Sequence, residues 1–523
     1  MRRISASVCA LLAALAPGTA SAQGDPGATP AAVACAAQDE GGKKDDWVRQ
    51  PSAQSSVTAH RFSAGGTAFD YVATAGTLVL RDDDDRPIAN MGYIAYTRSD
   101  GNKAASRPIL FAFNGGPGSS SVWLHLGLLG PKRVLVEDAG PTPAAPARMV
   151  DNEFGMLDMA DVVLIDPVGT GLSRSVCSKK DPDFWGTDAD ADSVSRFIAQ
   201  YVSDNNRWTS PKYILGESYG TTRAAAVVNY LRVCRSLTFN GIILLSLATD
   251  IEAIYSDLPG NDRPYPLFLP AFAAAAWYHN LLPGARPPLE PFLDEARRFA
   301  EGPFAAALRK GNALSDAERD AVVEQVHRYT GLSVAYIKAS NLRISEFAFA
   351  QELMRSQGRM VSRLDARFAG VTQDTNEKNA AYDPLLSNIG PAFNAALQDY
   401  LHRDLKFGEG QTYRASNFEI GNKWDWSHHA AGTTGERQPL VNSGVDLART
   451  MIEDPNLRVL VLNGYFDLGS PFSAAEYMIS HLQVPKSLTS RIRMEYYEAG
   501  HMMYVHAPSL RKLKVDLDAF LRD

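Results

Sequence analysis

The sequence predicts an α/β architecture: a mostly parallel central sheet flanked by helices, with one large, mainly helical segment inserted between two core strands. Three observations lead there. Runs 109–113, 162–165, 213–215, 242–247 and 459–462 are short, apolar at nearly every position, and most end in Gly, Asn, Asp or a turn. A strand apolar on both faces suits a sheet buried on both sides. Helical stretches at 189–202, 222–231 and 474–482 separate these runs, and such alternation marks a layered α/β domain. Between about residues 250 and 438 the strand rhythm stops. Helical periodicity replaces it at 290–310 (with a break expected at Gly302-Pro303), 316–329 and 345–357, and an apolar helix is expected over 271–282, opened by Pro270. A segment inserted at the C-terminal edge of a sheet overhangs whatever site lies there.

In chain order, residues 1–22 read as an export signal: Arg2 and Arg3, an apolar core at 8–16, and the small-residue site Ala20-Ser21-Ala22. Cleavage there implies a periplasmic or secreted protein. Residues 23–55, rich in Ala, Gly, Pro, Ser, Gln and charge, are expected to form a disordered leader. The core is expected over 56–250 and 439–523, with the helical cap at 251–438. Within the first part, 69–80 and 88–96 alternate as β-strands, and the acidic run Asp82-Asp83-Asp84-Asp85 between them reads as a solvated hairpin turn. It lacks the spaced oxygens and the Gly of a calcium loop.

Composition excludes several classes. The chain has 523 residues and a formal charge of −7, which argues against a fold-wide attraction to nucleic acid. Beyond the N-terminus there is no uncharged apolar run of the roughly 18 residues a membrane helix needs, so no membrane partner is expected after signal cleavage. Of the four Cys, Cys9 leaves with the signal. Cys35, Cys177 and Cys234 then allow one internal disulfide, with Cys177/Cys234 a possible pair, and leave one thiol. Cys35 follows Val33-Ala34, a faint hint of lipid attachment that the earlier cleavage site disfavours. No Cys or His spacing suits a structural metal, and neither metal nor cofactor is expected.

The strongest local signal is Gly216-Glu217-Ser218-Tyr219-Gly220, directly after one strand run and before a helix. G-x-S-x-G between strand and helix is the nucleophile-elbow pattern. The tight turn exposes the Ser218 hydroxyl, and its flanking glycines let strand and helix approach. The same turn leaves the Tyr219 N–H at a helix N-terminus, facing developing negative charge. Asn114-Gly115-Gly116-Pro117-Gly118-Ser119-Ser120 closes the strand 109–113. Its paired glycines can turn backbone amides toward a ligand, and Gly116 is the candidate second oxyanion donor. It lacks the Gly-Lys-Ser/Thr of a phosphate loop. A nucleophilic serine needs a base and an orienting acid, in the chain order Ser, acid, His. Asp467 follows the strand 459–462, and His501 follows a strand expected at 492–497. Both turns belong at the C-terminal edge of the sheet. His506 lies in a helix approach, and His428 and His429 sit in the insertion.

Five blocks, Asn114 to Ser120, Asp166 to Ser173, Gly216 to Gly220, Asn463 to Asp467 and Ala499 to His501, resemble in order the signature blocks of the serine carboxypeptidase (cathepsin A-like) family. The resemblance implies an α/β-hydrolase fold with a helical cap and removal of C-terminal residues from peptides, commonly at acidic pH. It also implies Ser218 as nucleophile, His501 as base, Asp467 as its partner, and Gly116 and Tyr219 as oxyanion donors. Asn114, Gly115 and Glu217 would bind the substrate's free C-terminal carboxylate. A Glu in that place must carry a proton, because two carboxylates at contact distance cannot both ionise. Two departures stand out. Ser119 occupies a place where the family usually has Cys, and one or two further acids of the family fall here on Gly127 and Leu128. Glu137 and Asp138 are the nearby acids.

Other hypotheses compete. The same triad supports an esterase or acyltransferase, an alternative to which the missing second acid at Gly127/Leu128 gives substance. A catalytically silent binding protein has no need of Ser218, Asp467 and His501 at these turns. An aminopeptidase shares a Gly-Gly-Pro-Gly loop, but Asn114 before it and Glu217 in the elbow disfavour that. Asp188-Ala-Asp-Ala-Asp192 reads as acids at a helix N-terminus rather than metal ligands. Trp424, Trp426, Phe268, Trp277 and Tyr278 make the insertion aromatic-rich, lining subsites or packing within the cap.

Overall fold

The computed structural model describes residues 49–99, 106–143, 145–256 and 258–522. The expected export segment, Cys35 and the leader up to residue 48 lie outside the described residues. A ten-stranded sheet forms the centre. Its strands are β1 (Gln54–Ala64), β2 (Thr67–Arg81), β3 (Pro87–Arg98), β4 (Ile109–Phe113), β5 (Asp161–Ile165), β6 (Lys212–Glu217), β7 (Gly241–Leu245), β8 (Arg458–Gly464) and β9 (Ile492–Tyr497), with Arg174–Ser175 added beside β3. The order is β1-β2-β3-β5-β4-β6-β7-β8-β9. From β5 through β9 every neighbouring pair is parallel, whereas β1, β2 and β3 join by antiparallel pairing. Every residue of β4, β5, β6 and β7 is buried, as their apolar runs demanded.

Alternate residues of these strands face two apolar layers. Leu110 and Ala112 join one cluster, and Ile109, Phe111 and Phe113 the other. Each fully buried Val, Leu, Ile or Phe contributes about 1.5–3 kcal/mol. Helices α1 (Thr187–Asp204) and α2 (Tyr219–Arg235) cover the second layer. The long helix Ala507–Arg522 lies on the first, through Leu510, Leu513 and Leu517.

Between β7 and β8 the chain is mainly helical, around a third cluster that includes Phe268, Phe272 and Phe349 and continues into Phe466 and Phe472. Several details differ from expectation. The aromatic helix runs Pro264–Tyr278 and carries Pro270 inside it. Its burial of Phe268, Leu269 and Phe272 outweighs the one backbone hydrogen bond that Pro270 removes. The break at Gly302-Pro303 is a π-helical turn, Ala300–Phe304, bridging Leu289–Phe299 and Ala305–Lys310. A twenty-residue helix, Pro384–Arg403, and a small hairpin, Arg359–Val361 with Ala369–Val371, were not expected.

The end of the leader is tied down. Gln54 and Ser55 open β1, Ser52 N–H donates to Asn90 Oδ1 at 2.9 Å, and Arg49 pairs with Asp181. The Cys177–Cys234 pairing does not form. Cys177 is disulfide-bonded in a loop held by Arg49, while Cys234 remains a thiol on the last turn of α2.

Candidate active site

The five motif turns stand at the C-terminal ends of parallel strands. Ser218 follows β6 and opens α2 with φ 61° and ψ −130°, a conformation non-glycine residues adopt only where the surroundings enforce it. The enforcement is steric and hydrogen-bonded. A side chain at Gly216 would strike the Gly220 carbonyl, and the Ser218 N–H donates to Leu245 O at the end of β7 (2.9 Å). The Gly-rich loop after β4 lies directly against the elbow: a Cβ on Gly115 would sit 2.5 Å from Tyr219 N and 2.6 Å from Glu217 O. Gly116 has φ 105°.

Asp467, after β8, is fully buried, and His501, after β9, nearly so. The His501 Nδ1–H donates to Asp467 Oδ2 at 2.7 Å. Gly469 N–H, Ser470 N–H and the Ser470 hydroxyl also donate to Asp467, fixing a carboxylate that orients the ring. The His501 carbonyl accepts from Ser246 Oγ at 2.8 Å, one residue beyond the Leu245 that holds Ser218, so the Ser218 and His501 turns are tied to one strand end. The ring and the Ser218 hydroxyl form no hydrogen bond among the described residues, so the line expected from sequence runs from Asp467 to His501 and is open at its last link. Such contacts often close only with substrate bound. Burial opposes protonation of His501, but the Asp467 charge and hydrogen bond outweigh it and raise the imidazole above its ordinary value.

Glu217, 2% exposed, lies beside this pair. Burial pushes its carboxyl up to about 7, against the pull of His501, Tyr504 and Asn114. Tyr504 donates its hydroxyl to Glu217 Oε2 at 2.8 Å. The Asn114 amide stands beside both. Its Oδ1 accepts from Leu124 N–H (3.0 Å), and its buried Nδ2, near enough to help draw the Glu217 carboxyl down, reaches no partner with hydrogen-bond geometry. A buried donor left unbonded costs about 1–3 kcal/mol, which an acceptor on a ligand would recover.

Sequence reasoning missed several supporting residues. Tyr504 is one, on the turn three residues past His501. Arg223 is another: fully buried, it pairs with Asp190 (2.6 Å) and donates to the Asn114 carbonyl at 2.7 Å, bracing the Gly-rich loop from beneath. The inserted hairpin also reaches the site, where Leu364 O accepts from His501 N–H and Arg363 O from Leu468 N–H. Where the resemblance implies Cys the chain has Ser119, which accepts from Trp123 Nε1 at 3.1 Å. The loop is held instead by the insertion, through Ser120 N–H to Ala415 O and Asn417 N–H to Gly118 O.

Other candidates lie elsewhere. Glu137 and Asp138 are exposed, and Asp138 pairs with Arg367. His428 bridges Asp188 and Asp446. The acids Asp188, Asp190 and Asp192, expected as a simple helix cap, each hold a partner: His428, Arg223 and Arg196. Trp424 and Trp426 pack edge-on against the Tyr219 ring at 5.1 and 5.7 Å. Among the described residues no cluster of His, Cys, Asp or Glu is placed to hold a metal ion, and no helix is long and apolar enough to cross a membrane.

Sheet order, elbow and turn positions define an α/β-hydrolase. Residues 84–236 match the family profile of the serine carboxypeptidases. Among solved structures, the prohormone-processing carboxypeptidase Kex1 of Saccharomyces cerevisiae is similar at 16% identity and TM-score 0.51, over 86% of this chain and 91% of that one. A proline iminopeptidase of Mycobacterium smegmatis (12% identity, TM-score 0.35, 85% and 97% covered) and an esterase of Thermogutta terrifontis (13%, 0.33, 86% and 98%) are more distant. No curated protein matches the sequence.

Proposed function

We propose that this chain is a serine carboxypeptidase working through Ser218, His501 and Asp467, releasing the C-terminal residue of peptides by way of an acyl-enzyme. One observation carries the proposal: the 2.7 Å Asp467–His501 pair stands at the same sheet edge as a serine held in elbow geometry. Ser218 Oγ attacks the last peptide carbonyl as His501 Nε2 takes its proton. The ring then gives that proton to the departing amine, and water repeats the sequence to free the acyl group. Asp467 holds Nδ1–H and stabilises the imidazolium. The amides of Gly116 and Tyr219 receive the oxyanion.

The free carboxylate of the departing residue meets the unbonded Asn114 Nδ2, the Gly115 backbone and a protonated Glu217. Binding therefore requires a proton on Glu217, whereas catalysis requires a neutral His501. Glu217 gives up its proton near 7, so affinity for free-acid substrates falls as pH rises through neutrality. Arg2, Arg3 and the cleavage motif at 20–22 support export, with action outside the cytoplasm.

The test is a blocked dipeptide as free acid, amide and methyl ester between about pH 4 and 8. The free acid should be preferred, most strongly at low pH, and Ser218→Ala should lower kcat by about 10⁴-fold or more. Cleavage of the ester alone would favour an esterase or acyltransferase, and no turnover at all would favour a silent scaffold.

A further inference from the structure

We propose that Tyr504 takes the place of a second acid in the carboxylate subsite, holding Glu217 with a neutral hydroxyl in the space opened by Gly127; this rests on the carboxylate role given to Glu217 above.

The steric observation is direct. A Cβ on Gly127 would lie 2.5 Å from Tyr504 Cε2, so the ring fills the room into which any side chain at 127 would project. Gly127 sits in the buried π-helical turn His125–Leu129, and Tyr504 on the turn Met503–Val505 just past the base. The two segments therefore exclude each other: an acid at 127 and a tyrosine at 504 cannot share this fold. Tyr504 is 3% exposed, and its hydroxyl is aimed at Glu217 Oε2.

The exchange alters the chemistry. Two carboxyls in contact share protons and titrate together. A phenol buried beside Glu217 is pushed still further above its ordinary range, so it stays a neutral donor wherever the enzyme operates. It steadies ionised Glu217 by one hydrogen bond and leaves the protonated form oriented toward the substrate. The groups facing Glu217 are His501, Asp467, Tyr504 and Asn114. Of these, Tyr504 alone is a neutral donor bonded to the carboxyl within hydrogen-bond distance, and it makes the subsite a one-proton device.

The test measures inhibition of the full chain by a blocked amino acid with a free carboxylate and by its alcohol analogue, between about pH 5 and 9. In His501→Ala, where no imidazole titrates beside Glu217, log affinity for the carboxylate should fall above the Glu217 limb with a slope of one proton; a slope of two would overturn the proposal. Tyr504→Phe keeps the ring in place. It should move that limb up by about one pH unit, since a hydrogen bond to the carboxylate is lost, and should weaken carboxylate binding several-fold at pH 5 while leaving the alcohol unaffected. An unmoved limb in Tyr504→Phe, with Glu217→Gln still abolishing discrimination between acid and alcohol, would overturn the role of Tyr504 alone. Unchanged discrimination in Glu217→Gln would instead overturn the carboxylate subsite itself.

Discussion

Glu217 is buried against its own ionisation, and the cost enters the stability of the fold and, on the proposed function, substrate binding. Its carboxyl titrates near 7 in the folded chain, against an ordinary value of 4.5. Between those values the folded protein holds a proton that the unfolded chain releases, so stability declines as pH rises through that window, by about 3 kcal/mol in all. Glu217→Gln removes the titration. The variant should gain on the unsubstituted protein as pH is raised from 5 to 8, read as the difference in melting temperature, and its affinity for free-acid substrates should lose most of its pH dependence. A parent–variant gap constant with pH would contradict this. The positions of Ser218, Asp467 and His501 were legible in sequence because each occupies a short motif at a strand end. Tyr504 was not, because its role depends on what fills the room beside Gly127, and no local pattern encodes that.

The insertion is joined to the core by a charged clamp. His428 lies between Asp188, in the first turn of α1, and Asp446, in the helix Gly444–Glu453, at 2.6 and 2.7 Å. Burial lowers the ring's proton affinity, but the two carboxylates outweigh it and carry the value to about 9. A raised cationic group stabilises fully below its unfolded value of 6.5 and loses that contribution as pH rises through 9. The contribution is about 3 kcal/mol. His428→Gln should lower the melting temperature strongly at pH 6 and much less at pH 10, as measured by thermal unfolding; equal losses at both would show that His428 acts by packing alone. Elements differed in legibility for physical reasons. Strands β4 to β8 were read from continuous apolar runs. β1 was missed because it buries Phe62 alone, its other residues being exposed or half-buried. The helix Pro384–Arg403 was hidden by Pro391 within it.

Across the whole molecule, residues separated by nearly three hundred positions meet because parallel strands deliver every motif turn to the same sheet edge. The insertion is part of that edge. Backbone bonds from 363–364 to the turns of Asp467 and His501, and from 415–417 to the Gly-rich loop, build it into the site. Sequence read it as an overhang, since backbone pairing between distant loops leaves no compositional trace. On the proposed function, folding makes one serine among many nucleophilic, and reaction with a fluorophosphonate followed by peptide mapping tests this most directly. A single adduct on Ser218, lost in Ser218→Ala and strongly slowed in His501→Ala, is the predicted result. Absence of any adduct on the folded protein, or modification of a different serine, would contradict it.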